Sequence, residues 1–186
     1  MGETERPVEQ ETATTKPGEG SLRWLKEFVI SLAISIFIIV FLYQPVKVEG
    51  TSMMPGLADQ ERIFINKYAY RIGMIERGDV VVFRYPGDPS KNYIKRVVGV
   101  PGDVVEIRSG AVYLNGSRLV EPYVPVQFRD ERSMGEISVP AGSYFVLGDH
   151  RNLSSDSRDF GAVERGAIFG KAVFAYWPTT MMGKLH

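Results

Sequence analysis

Sixteen consecutive residues without a charge, Phe28 to Tyr43 (FVISLAISIFIIVFLY), set the first constraint on this chain. As a helix the run would reach about 24 Å at 1.5 Å per residue, a little short of the ~30 Å hydrocarbon core of a bilayer. Trp24 and Leu25 before it, and Pro45 and Val46 after it, extend the reach, with Lys26 placed to snorkel. A helix on the surface of a core would carry a polar stripe, and this run is apolar on every face. A cleaved leader fits poorly, because the preceding stretch is too long and no small-x-small site follows. The expectation is a retained transmembrane anchor over residues 24–45. Lys16, Arg23 and Lys26 precede the run, and Lys47 is the only nearby basic residue after it. The positive-inside rule then predicts a cytoplasmic N-terminus and an extracytoplasmic remainder.

On either side of the anchor the pattern changes. Residues 1–20 are rich in Glu, Thr, Pro and Gly with no apolar periodicity, which predicts a disordered tail ending at residue 23. From Pro45 the period falls to two, with Val46 and Val48 alternating with Lys47 and Glu49. Further strands are predicted at Arg62–Ile65, Val80–Tyr85, Tyr93–Val100, Asp103–Arg108, Ser143–Leu147 and Ile168–Trp177. Val112–Leu114 and Ser117–Leu119 flank Asn115-Gly116, which suits a tight type I′ hairpin turn. Pro86–Pro89 reads as a loop, and Pro122–Glu136 as an irregular surface excursion. Short strands with Gly/Pro punctuation and no second helical pattern predict a mostly-β, antiparallel domain over 46–178, then a tail over 179–186.

Composition removes several chemistries. The chain contains no cysteine, so a disulfide scaffold, a thiolate nucleophile and a Cys-based zinc site are excluded. With only His150 and His186 a His-rich metal site is excluded too, and a net charge of zero without a clustered basic face argues against nucleic acid as a partner.

Gly50-Thr51-Ser52-Met53-Met54-Pro55 follows closely on the apolar run. A serine between a glycine and two methionines at that place suggests a nucleophile, which needs an activating base. Lys95 is the candidate. On an extended Tyr93–Val98 it shares a face with Tyr93 and Val97, while Arg96 takes the other face with Ile94 and Val98. Burial among apolar neighbours lowers a lysine's pKa and favours the neutral amine. The bland alternative is a lysine that blunts a sheet edge. The stretch Gly148–Arg158 is dense in hydrogen-bonding groups and suits a supporting loop. His150 reads as a residue of that loop, and a Ser52–His150–Asp triad is set aside in favour of lysine.

These segments resemble the type I signal peptidases, membrane-bound proteases with a Ser/Lys dyad, in the compact Gram-positive form. Gly50–Pro55 is similar to the family's nucleophile box, Gly78–Phe83 to its structural strand, Tyr93–Asp103 to its lysine box, and Gly148–Arg158 to its final box. The resemblance implies an antiparallel β-sheet catalytic domain behind one anchor, with Ser52 as nucleophile and Lys95 as general base. It implies that Ser154 orients Lys95, that Asp156 and Arg158 form a supporting salt bridge, and that Asp149 is structural. Val48, Met53, Leu57, Ile63, Tyr93 and Ile94 match positions lining shallow substrate pockets. The Ser52 backbone N–H would supply part of an oxyanion hole. Gly50 stands where some relatives carry a serine that donates to the oxyanion, which leaves the second donor unassigned. His150 replaces the usual asparagine.

The expected activity is cleavage of signal peptides from exported preproteins after small-x-small sites, with no metal or cofactor required. Expected partners are preprotein substrates, the lipid bilayer and a neighbouring secretion translocase. Three rivals make different demands. An SOS-repressor-type autoprotease should carry a DNA-binding module, a penicillin-binding enzyme wants Ser-x-x-Lys where this chain has Pro55, and an anchored non-enzymatic β-domain would leave Ser52 and Lys95 incidental.

Overall fold

The structure, a computed structural model, describes residues 19–185; the tail expected over residues 1–18 lies outside them. The chain divides into two compact units, Met1–Ile38 and Ile39–His186. Helix α1, Glu19–Leu42, occupies the described part of the first. Among the described residues no helix is long and apolar enough to cross a membrane. Two expected boundaries move. Residues 19–23 are helical, not tail, and Tyr43–Pro45 belong to the first strand, where pairing with the next strand takes over from the helix.

The second unit is built from twelve strands. In chain order they are β1 Tyr43–Lys47, β2 Arg62–Asn66, β3 Val80–Tyr85, β4 Asp88–Gly99, β5 Val104–Arg108, β6 Ala111–Leu114, β7 Ser117–Arg118, β8 Met134–Ser138, β9 Ser143–Leu147, β10 Val163–Glu164, β11 Ile168–Trp177 and β12 Gly183–Lys184. Two short helices accompany them, α2 Ala69–Ile72 and α3 Ser157–Phe160. The larger sheet runs β1-β2-β11-β3-β4-β9-β10, with β12 on β11, and the smaller runs β7-β6-β5-β8. Among the described residues the strands pair antiparallel, in line with the mostly-β expectation.

Strand β3 explains itself from sequence. Val80, Val81, Val82 and Phe83 are all buried because the strand lies inside the sheet with packed groups on both faces: Val80 and Val82 join one cluster with Ile63 and Ile65, Val81 and Phe83 another with Val97 and Val146. A third cluster, around Val105, Ile107, Val112 and Phe145, holds the smaller sheet.

Two peripheral stretches depart from expectation. The excursion after Pro122 ends in β8, whose residues from Met134 pair with β5. The expected C-terminal tail folds back instead: Phe174 pairs with Lys184, the Leu185 N–H donates to the Val173 carbonyl, and Leu185 packs against the first cluster.

Candidate active site

Ser52 sits in the loop between β1 and β2. The loop is closed at its base, where the Val48 N–H donates to the Glu61 carbonyl and the Gln60 N–H to the Val48 carbonyl. Inside it, turns from Thr51 to Met54 and from Met53 to Leu57 wind the chain so that Met53 and Leu57 are each 1 % exposed. The methionine after the serine is therefore an anchor. Burying it holds Ser52 at the rim of the core, partly buried. Gly50 takes φ +97°, a left-handed conformation that glycine accepts without cost, and its N–H donates to Asp59 Oδ1 at 2.7 Å. That N–H is thereby committed to the Asp59 carboxylate.

Lys95 lies on β4 in the middle of the larger sheet. Its neighbour across β3 is Val81, while Arg96 and Val97 pair with Leu147 and Val146 of β9. A strand covered on both sides has no edge to blunt. The side chain is 4 % exposed, and Nζ stands 2.6 Å from Ser52 Oγ and 5.3 Å from the centre of the Tyr93 ring. Burial pulls the Lys95 ammonium down to about 8; the Asp156 and Asp149 carboxylates pull the other way, and Arg158 adds to the lowering.

The Gly148–Arg158 stretch wraps this pair. Arg158 forks onto Asp156, with Nε to Oδ1 and Nη2 to Oδ2 both at 2.7 Å. Asp156 also accepts from the Gly148 N–H and caps α3 in a reciprocal capping box with Asp159. Asp149 receives two hydrogen bonds from Arg96, at 2.9 and 2.7 Å, in a pair almost sealed from solvent. Burial pushes the Asp149 carboxyl up, against the pull of that guanidinium. One expectation fails. Ser154 makes no hydrogen bond to Lys95, and its buried Oγ is without a hydrogen-bond partner among the described residues. The Ser52 hydroxyl takes that place on the amine instead.

Sequence reasoning missed several groups here. Arg96, read only as the other face of Lys95, anchors Asp149 and stacks over Tyr123 at 4.2 Å. A cation among Ile94 and Val98 was itself a sign of a buried carboxylate. Glu121 and Asp130, from the supposedly irregular excursion, pair with Arg151 and Arg158. Gly148 is constrained from two sides, since a Cβ there would meet Ser154 Oγ at 2.2 Å and the Ser52 carbonyl oxygen at 2.5 Å. His150, read as a bystander, is buried and bound to the Ser52 segment through its ring and its backbone.

A cleft of about 640 Å³ is lined by Ser52 and Lys95 together with Val48, Ile63, Tyr93 and Ile94. Met53 and Leu57 do not line it. The turns that bury them direct them to the core and to a separate cavity of about 280 Å³ shared with Arg96 and Asp149. Another cavity, of about 360 Å³, lies by β6 and Arg129 and includes neither Ser52 nor Lys95. Among the described residues no cluster of three or more His, Cys, Asp or Glu side chains is arranged to hold a metal ion.

The sequence pattern of the family described as Signal peptidase, peptidase S26, matches residues 21–177. The chain belongs to that family. It is accordingly an enzyme, a serine peptidase. Similar relatives include signal peptidase I of Bacillus amyloliquefaciens, 37% identical with 96% of each chain covered. Signal peptidase I T of Bacillus subtilis is 36% identical with 96% of each covered. Signal peptidase IB of Staphylococcus aureus is 37% identical, covering 83% of this chain and 90% of its own. A crystal structure of a signal peptidase I from Enterococcus faecalis is 32% identical over 53% of this chain and 96% of its own, with a TM-score of 0.47.

Proposed function

We propose that this peptidase removes signal peptides from exported preproteins after small-x-small sites, with Ser52 as nucleophile and Lys95 as general base. The 2.6 Å approach of a buried amine to the serine hydroxyl carries the reading. A lysine titrating near 8 is substantially neutral in mildly alkaline solution, where it can accept the hydroxyl proton. Oγ then bonds to the scissile carbonyl carbon, and the negative charge that develops on the carbonyl oxygen is met by the Ser52 N–H. The C–N bond breaks, the Lys95 ammonium returns its proton to the leaving amine, and an acyl-enzyme remains. Lys95 next takes a proton from water, whose oxygen bonds to the acyl carbon; the C–Oγ bond breaks and the Lys95 ammonium returns that proton to Oγ.

The supporting groups follow from charge. Asp156–Arg158 and Asp149–Arg96 hold the loop against β4, and their ion pairing keeps bare carboxylates from stabilising the protonated lysine. A preprotein would lie extended beside residues 46–49, adding main-chain hydrogen bonds, with small side chains directed at Val48, Ile63, Tyr93 and Ile94.

The same reading assigns α1 to the membrane. Trp24, Phe28, Ile34, Phe37 and Phe41 are each more than half exposed, a load of apolar surface that water does not favour. An anchored site would meet substrates at the bilayer surface, beside the secretion translocase.

The test is a preprotein with Ala-x-Ala before the cut, incubated with the full chain in detergent. One cleavage is expected, and Ser52→Ala and Lys95→Ala should each lower kcat/KM by roughly a thousandfold or more. Full activity in both variants would refute the dyad.

A further inference from the structure

We propose that His150 is a positioning residue for the oxyanion site, acting through the Thr51–Ser52 peptide; the proposal rests on Ser52 being the nucleophile. Imidazole Nδ1 lies 3.1 Å from the Thr51 carbonyl oxygen, and the His150 N–H donates to the Ser52 carbonyl at 3.0 Å. One residue therefore grips two consecutive carbonyls of the nucleophile segment from 99 positions away. A carbonyl only accepts, so Nδ1 carries the proton.

The Thr51 carbonyl and the Ser52 N–H are opposite ends of one planar peptide group. Fixing the direction of the oxygen fixes the direction of the N–H. A hydrogen bond to the oxygen also polarises the amide and makes its N–H a better donor. The Met54 N–H adds a second bond to the same oxygen at 3.0 Å. At the other end, the Ser52 N–H donates to no protein group among the described residues. It is held by its partner atom and left available to an oxyanion. The need for such a device is local. Gly50 has no side chain to donate, and its own N–H is taken by Asp59.

The imidazole is itself held. It is 8 % exposed, stands edge-on to Phe128 with ring centres 4.3 Å apart, and opens a 3-10 turn in which the Leu153 N–H donates to the His150 carbonyl. Nothing in this geometry makes His150 a base. Its ring nitrogen faces a carbonyl.

The test separates the hydrogen bond from the packing. His150→Phe keeps an aromatic ring against Phe128 and removes the donor; His150→Asn returns an amide N–H near the place of Nδ1. With the full chain in detergent at pH 9 and the Ala-x-Ala preprotein, the Phe variant should lose about ten- to a hundredfold in kcat with KM within about twofold, and Asn should recover most of the loss. Wild-type kcat in the Phe variant, or no recovery in Asn where Phe is impaired, would overturn the proposal. If the Phe variant does not fold, the imidazole 15N shifts of the wild type decide: a protonated Nδ1 is expected, and an unprotonated one overturns it. Activity surviving in Ser52→Ala would instead defeat the dyad, and this inference with it.

Discussion

A lysine that is 4 % exposed is held at a cost unless it sheds its charge, and Lys95 is placed to shed it. Its folded pKa, about 8, lies below its ordinary 10.5, with burial the largest cause. Below 8 it is protonated in both the folded and unfolded chain, and the cost of the buried charge is fully present. Between 8 and 10.5 the unfolded chain binds more protons, so stability rises with pH across that window. Under the proposed mechanism activity shares the sign, since a neutral amine is what would accept the Ser52 proton; cleavage should fall about tenfold per pH unit below the titration. The burial of Lys95 was legible from the apolar residues alternating with it. The failure of Ser154 to reach it was not, because side-chain position within a coiled loop follows from tertiary packing and has no sequence period.

At the scale of elements, the site is a junction of the β1–β2 loop, the β4 strand and the segment after β9. Gly148 is where two of them touch. A methyl group there would press on the Ser52 carbonyl, backbone that cannot rotate away, and on the Ser154 hydroxyl. Gly148→Ala should therefore displace the nucleophile, lowering kcat on the Ala-x-Ala preprotein by about a hundredfold with a loss of about 1–3 kcal/mol in stability. Unchanged kcat would mean that the loop moves aside without disturbing Ser52. The strands were readable because buried central runs such as Val80–Phe83 and alternating runs such as Tyr93–Val98 have distinct patterns. Glu121 and Asp130 were not readable as partners of Arg151 and Arg158, since they come from a stretch without periodicity and their pairing spans 30 and 28 positions. The return of Leu185 onto the core escaped for the same reason, being set by a groove that only the folded sheet creates.

At the scale of the whole molecule, the proposal joins an apolar helix to a serine peptidase. Its topology is open to direct measurement because the chain has no cysteine of its own. In intact cells an impermeant maleimide should label Ser117→Cys and spare Thr12→Cys; the reverse pattern would invert the orientation, and labelling of both would remove the anchor from the account. The helix α1 coincides with an uncharged run that the sequence shows plainly, and the two-carbonyl grip of His150 was not legible, because it joins segments 99 positions apart. The central claim, that a neutral lysine activates Ser52, is tested most directly by the pH dependence of kcat/KM for the full chain on an Ala-x-Ala preprotein. A limb of unit slope rising to a plateau near pH 8 is expected from the titration of Lys95; a flat profile down to mildly acidic pH would contradict it.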